Sequence, residues 1–227
     1  SRTRIEKTTI MNFQDYKTIV FDCDGVILNS NKLKTDAFRI VAKNYGEEEA
    51  EKLVSYNKEN GGVSRYVKFN YFINEILHPD VITNKGLTVD SLLDQFSNYV
   101  IDGLCKCELV DGLEELRNSS KNSAWMIISG GDQSELQYVF DKRGLTDFFD
   151  KGIFGSPTPK IEIFRRQIKK GNIVMPALFI GDSKYDYECA NNFGIDFVFA
   201  YKWTELTNWE TFCSSNKIKI VDFATNL

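Results

Sequence analysis

Short apolar runs that end abruptly at polar residues, separated by stretches of helical periodicity, constrain this chain more than any other feature. Four of them are "TIVFD" (18–22), "AWMIISGG" (124–131), "KGIFGS" (151–156) and "ALFIGD" (177–182). A fifth, "DFVFAY" (196–201), follows a helical pattern that Gly194 is placed to cap. Near-continuous apolar strands alternating with helices predict a parallel sheet covered on both faces. The expected fold class is therefore α/β, a doubly wound parallel sheet with a Rossmann-like core. In such sheets ligands bind beyond the carboxyl ends of the strands, which directs attention to Asp22, Ser129 and Asp182.

The spacing of the runs is uneven. The interval between the first and second is far longer than one crossover helix needs. Within it, "KLKTDAFRIVAKNYG" places Leu33, Ala37, Ile40 and Val41 on one face, and "RYVKFNYFINEIL" places Val67, Phe69, Phe72, Ile73 and Ile76 near one stripe. "SLLDQFSNYVIDGL" continues the pattern. An inserted α-helical cap domain over residues 30–106 is expected, with the core formed by 11–29 and 107–227. Residues 1–10 read as a tail, and Met11 as the native start.

Composition narrows the chemistry. Of 227 residues, 42% are hydrophobic and 26% charged, enough for a substantial soluble core. With a net charge of -4 and no basic-aromatic stripe, no nucleic-acid partner is expected. No apolar run approaches the length of a membrane span, so no membrane partner is expected either. Five scattered cysteines imply reduced thiols and a cytoplasmic setting. The lone C-x-C pair, Cys105 and Cys107, lacks the partner pair that a zinc site needs. A single histidine, His78, argues against Ser-His-Asp and Cys-His nucleophilic chemistry. The chemistry must run on carboxylates, hydroxyls and lysines.

The carboxylates are conspicuous. "FDCDG" sets Asp22 and Asp24 one residue apart at a strand end, and like charges held close raise each other's pKa. "GDSKYD" adds Asp182 and, one turn into a helix that Ser183 is placed to cap, Asp186. Taken alone, acids at a helix start are simply favoured by its dipole. Four converging on one sheet edge call for a cation, and few carboxylates plus water suit Mg²⁺. A carboxylate is also a competent nucleophile toward phosphorus. Such a site needs hydroxyl, amide and ammonium donors for the equatorial oxygens. Ser129 with Gly130 and Gly131 in "IISGG", and Lys160 in "GSPTPKIEIF", are placed to supply them.

These motifs, in this order, resemble the haloacid-dehalogenase superfamily of aspartate-nucleophile phosphohydrolases, in its capped phosphoglycolate-phosphatase and phosphoglucomutase-like branch. The resemblance implies that Asp22 is nucleophile and metal ligand. It implies that Asp24 is general acid/base and offers its backbone carbonyl to the metal. Asp182 would be the second carboxylate ligand and Asp186 would orient metal-bound water, with Mg²⁺ as cofactor. Ser129, Gly130 and Lys160 would hold the phosphoryl group. Many relatives place the motif-three lysine just before the first proline, where this chain has Ser156. Lys160 is the expected replacement, and Lys151, at the far end of its strand, the lesser one. In the cap, "NGGVSRYVKF" offers Arg65 and Lys68 to a substrate anion, though exposed basic residues at a helix start account for it equally.

The expected activity is Mg²⁺-dependent hydrolysis of a small phosphorylated metabolite, phosphoglycolate-like or a sugar phosphate, by a monomer or homodimer. A sugar-phosphate mutase of the same fold and a non-catalytic binding module are the alternatives. The intact "DCD" argues against the module. Against the mutase, Lys34 or a neighbour stands where the phosphoglucomutase-like relatives carry a histidine, and an ammonium of ordinary pKa near ~10.4 is a poor proton shuttle at neutral pH.

Overall fold

The computed structural model describes residues 12–227; the reading of Met11 as the start and of 1–10 as a tail lies outside them. Six parallel strands form one sheet: β1 (Thr18–Phe21), β2 (Ala124–Asp132), β3 (Ile153–Ser156), β4 (Ala177–Gly181), β5 (Asp196–Ala200) and β6 (Lys219–Val221), in the order β3-β2-β1-β4-β5-β6. The five runs read from the sequence are β1 to β5. β6 has no comparable signal, because it is a three-residue edge strand with Lys219 and Ile220 exposed.

Side chains alternate across the sheet as a pleated strand requires. Ile19, Phe21, Trp125, Ile127, Leu178 and Ile180 pack to one side. Val20, Met126, Ile128 and Phe179 pack to the other. Helices α6 (Leu113–Ser119), α7 (Gln133–Lys142), α8 (Lys160–Lys169), α9 (Lys184–Asn192) and α10 (Trp209–Asn216) belong to the core. Gly194, at φ +63, follows α9 as the left-handed residue that ends it. The winding reverses at β1, which pairs with β2 on one side and β4 on the other. Asp22 and Asp182 both emerge at that switch point, where an open α/β sheet forms its crevice.

Between β1 and α6 lie α1 (Asn31–Lys43), α2 (Glu47–Glu59), α3 (Arg65–Tyr71), α4 (Pro79–Lys85) and α5 (Val89–Lys106). α3 runs on into a π-helical turn over Phe72–Ile76. These helices pack around their own aromatic centre. The Phe96 ring lies 4.5 Å from that of Phe38 and 5.7 Å from that of Phe69. The two chain segments that enter and leave this insertion are paired with each other: Asn29 N donates to Glu108 O at 2.9 Å and Val110 N to Ile27 O at 2.9 Å.

Two helical faces differ from expectation. Ile40 is 44% exposed and Val67 49% exposed. In α1 the buried stripe is turned toward Phe38 and Ala42, because the larger phenyl ring takes the aromatic centre. In α3 the helix turns to bury Arg65, Lys68 and Phe69, which carries Val67 outward.

Truncating Phe96 to alanine removes the ring shared by Phe38, Phe69 and the Arg65 guanidinium. A cost of about 3–5 kcal/mol is expected in urea unfolding.

Candidate active site

Asp22 follows β1 directly and is 2% exposed. Its Oδ1 accepts the Cys23 amide at 2.8 Å and lies 3.0 Å from Lys160 Nζ. The same ammonium donates to Asp186 Oδ1 at 2.5 Å. Asp186 Oδ2 in turn accepts the Asp182 amide at 3.2 Å. Ser183 caps α9, its Oγ accepting the Asp186 amide at 3.1 Å, and so fixes Asp186 toward the strand end. Asp22, Asp182 and Asp186 offer carboxylate oxygens within 4.8 Å of one another, all buried.

That crowding has an electrostatic signature. Burial, and then the Asp186 charge, push the Asp22 carboxyl up to about 7. Burial and the Asp22 charge drive Asp182 well above the usual carboxylate range. Lys160 goes the other way: burial opposes its charge, but Asp186 and Asp22 outweigh burial and hold it as an ammonium. Three buried carboxylates thus share one ammonium. The site's donors are hard oxygens on a buried cluster, the set that suits Mg²⁺. Asp24's carboxylate is not among them. Its Oδ1 accepts Ser30 Oγ at 2.5 Å and its Oδ2 meets Lys34 Nζ at 2.6 Å, leaving the backbone carbonyl as its candidate metal contact. Burial alone would raise the Asp24 pKa, but the Lys34 charge and the two hydrogen bonds lower it below the ordinary value.

Gly25, at φ +78, makes the turn that follows Asp24. A Cβ there would sit 2.2 Å from Asp182 Oδ2, so only glycine admits the second carboxylate this close. Lys160 opens α8 beyond Pro159, and its long stem carries the ammonium to Asp22 and Asp186. Ser156 is buried with its Oγ unbonded. Lys151 is exposed and precedes β3, at the opposite end of the strand.

Beside the carboxylates, β2 loses register with β3 between Ile128 and Asp132. Ser129 is fully buried there, and its Oγ accepts the Gly131 amide at 3.0 Å. Gly130 and Gly131, and not the serine side chain, line the pocket.

The helical insertion closes over this edge. A Cβ on Gly130 would lie 2.3 Å from Gly62 O, so the loop between α2 and α3 rests directly on the glycine turn. Arg65 is not an exposed basic residue at a helix start. It is 4% exposed, stacks over Phe96 at 4.4 Å and forks onto Glu135 of α7, at 3.0 and 2.5 Å, with Ser97 Oγ at 3.1 Å. Its guanidinium thus meets a core carboxylate, joining insertion to core, while the residue also lines the pocket. Tyr66 adds a hydrogen bond to Asp132 Oδ2 at 2.6 Å. Lys68 is buried in the pocket wall, donating to Asn57 Oδ1 at 2.8 Å. Burial and the Lys34 charge lower its pKa to about 7.

Sequence reasoning missed Asn31, whose Nδ2 donates to Asp182 Oδ2 at 2.7 Å, and also Glu135, Asn57, Thr35 and Glu205. Single polar residues on helices and in a loop carry no local pattern. Glu135 left a faint one, three residues after the Asp132 that caps α7.

A family model described as haloacid dehalogenase-like hydrolase matches residues 19–200. No curated protein matches the sequence. Among solved structures, a protein assigned as a haloacid dehalogenase-like hydrolase from Bacteroides fragilis is 19% identical, with a TM-score of 0.68 over 92% of this chain and 98% of its own. A protein assigned as a phosphoglycolate phosphatase from Lactobacillus plantarum is 22% identical, at 0.64 over 92% and 95%. CbbY from Rhodobacter sphaeroides, solved with phosphate, is 15% identical, at 0.69 over 93% and 96%. Among the described residues no helix is long and apolar enough to cross a membrane.

Two outcomes are expected. Glu135→Gln leaves the Arg65 guanidinium buried without its counter-charge and costs about 3 kcal/mol or more in unfolding free energy. The pair Arg65→Met with Glu135→Leu costs less than Glu135→Gln alone. The second concerns pH. Lys68 ionises at about 7 in the fold against about 10.4 in the open chain, so between these values the unfolded state binds more protons. Its burial penalty is full below pH 7 and fades toward pH 10.5. Lys68→Met should therefore raise the melting temperature most at pH 6, with the gain shrinking as pH rises through that window.

Proposed function

Because the chain belongs to the haloacid dehalogenase-like hydrolase family, we propose that it is a phosphatase that hydrolyses a small phosphate monoester through an aspartyl-phosphate at Asp22. The observation that carries this reading is Lys160, a buried ammonium held between Asp22 and Asp186 with Asp182 beside them.

In this reading Asp22 attacks phosphorus with its Oδ2, since Oδ1 is engaged by the Cys23 amide and by Lys160. Lys160 and the Gly130 amide donate to the equatorial oxygens, while the Gly131 amide, bonded to Ser129 Oγ, holds the turn in place. Asp22, Asp182 and the Asp24 carbonyl would hold Mg²⁺, and Asp186, both of whose oxygens already accept hydrogen bonds, would orient its water. The bound metal supplies charge neutralisation for the transferring group. Asp24 gives a proton to the leaving oxygen and takes one back from the water that cleaves the intermediate, with Ser30 and Lys34 orienting its carboxylate. The helices over residues 30–106 act as the cap, excluding water until the leaving group has gone. Lys34 contacting Asp24, where a mutase would need a proton-shuttling histidine, favours hydrolysis over phosphoryl return. A reducing, cytoplasmic setting fits the five free thiols.

Asp22→Asn should lower p-nitrophenyl phosphate turnover by about 10⁴-fold or more while the protein still melts cooperatively. Turnover should vanish with EDTA, return with Mg²⁺ and recover poorly with Ca²⁺, whose looser coordination misplaces the nucleophile. Near wild-type activity in Asp22→Asn, or full activity in excess chelator, sinks the assignment.

A further inference from the structure

Away from the carboxylates, the pocket contains a chain of hydrogen bonds that phosphoryl transfer does not use. Lys68 Nζ donates to Asn57 Oδ1 at 2.8 Å, and Asn57 Nδ2 donates to Thr35 Oγ1 at 2.9 Å. The Thr35 hydroxyl donates to Glu205 Oε2. All four residues line the pocket. Three are buried, with Lys68 on α3, Asn57 on α2 and Thr35 on α1. Glu205 comes from the core, on the loop after β5. That loop is itself fixed to the site: Thr204 Oγ1 donates to Asp182 O at 2.7 Å and Asn31 Nδ2 to Trp203 O at 2.9 Å.

The chemistry of the groups sets the direction of every proton. A carboxylate only accepts and an ammonium only donates. Thr35 therefore gives its proton to Glu205 and takes one from the Asn57 amide, which turns the Asn57 carbonyl to Lys68. The chain has a donor at one end and an acceptor at the other, with capacity left at both. Lys68 has two further N–H groups, and Glu205 has its Oε1.

Charge decides which ligand suits it. Three other cations at this site already have carboxylate partners: the half-buried Lys34 with Asp24, and the buried Lys160 with Asp22 and Asp186 and Arg65 with Glu135. Lys68 is balanced at a distance by Glu205, through two neutral groups. A second anion placed against this chain would thus meet one ammonium that is already offset and would face the Glu205 carboxylate. Lys58 and Lys184, without a carboxylate partner among the described residues, lie on the less buried part of the wall. Hydroxyls face no such conflict, since one accepts from Lys68 at one end of the chain and another donates to Glu205 at the other.

We propose that the Lys68–Asn57–Thr35–Glu205 chain is the selectivity element of this pocket, and that it takes the hydroxyls of a sugar or sugar-alcohol phosphate in preference to a carboxylate-bearing phosphate. This rests on the phosphate-monoester reading above and narrows its substrate class. Glu205 is then the residue that discriminates, and Lys68 supplies donor capacity to either ligand class.

The test compares kcat/KM for sorbitol 6-phosphate and ribose 5-phosphate with that for 2-phosphoglycolate, in the wild-type chain and in Glu205→Gln. The wild type should favour the hydroxylated substrates by about 10-fold or more, since a site built to hydrogen-bond a hydroxyl rejects ligands that leave its groups unpaired. Glu205→Gln removes the repelling charge, so the ratio should move toward 2-phosphoglycolate by about 10-fold or more. A merely structural role would lower all three together. Wild-type preference for 2-phosphoglycolate, or an unmoved ratio in Glu205→Gln, overturns the proposal. Calorimetric binding of the same compounds to the Asp22→Asn protein with Mg²⁺ separates this from the activity. If no monoester is turned over, the phosphatase reading fails, yet tighter binding of the hydroxylated phosphates still supports the selectivity element. Equal binding, tighter binding of 2-phosphoglycolate, or no binding at all overturns it.

Discussion

One ammonium organises the catalytic edge. Three buried carboxylates stand within 4.8 Å of one another, and Lys160 touches two of them. Three negative charges against one positive leave a deficit that a divalent cation cancels. Without it, Asp22 is forced toward neutrality, which its pKa of about 7 expresses. The backbone elements follow from this need. Two prolines stiffen the approach to α8, Ser183 caps α9 to aim Asp186, and Gly25 lets Asp182 close in.

The second organising contact is ionic as well but lies between layers. Arg65 and Glu135 are both buried, and their bidentate geometry ties the first residue of α3 to the first turn of α7. Both residues follow glycine pairs that meet over the pocket, Gly61–Gly62 in the insertion and Gly130–Gly131 in the sheet. Closure therefore depends on side-chain electrostatics at one point and on the absence of side chains at the next. A buried pair of this kind adds little net stability over an apolar one, so its value here is geometric: it seats the insertion in one position.

What could be read beforehand follows a physical division. β1 to β5 were legible because a strand buried on both faces leaves a continuous apolar run that breaks at its end, and the break marks the site. Asp22, Asp24, Asp182 and Asp186 were legible for the same reason. The Lys160 position was legible only through its neighbours Pro157 and Pro159, because the usual place holds Ser156. The part that was not legible consists of long-range pairings. That Arg65 faces Glu135, 70 residues away, or that Thr35 faces Glu205, 170 away, depends on how the insertion seats on the core and not on any local spacing. Helix faces failed at Ile40 and Val67, where periodicity admits neighbouring stripes and the packing of Phe38 and Phe69 decides between them.

The pairing of the two crossing segments bears on motion. Residues 27–29 and 108–110 are laced together by backbone hydrogen bonds, and Leu28 bridges both to Leu109 and to Asp24. Two independent tethers would let the helical layer slide, tilt and twist over the sheet. A laced pair behaves as a single pivot with one soft rotational coordinate. Asp24 sits on that pivot, and its side-chain partners Ser30 and Lys34 lie just beyond it, on the swinging side. A rotation about this pivot would carry away the hydrogen bonds that orient the Asp24 carboxylate, so that uncovering the pocket and freeing that carboxylate would be one movement.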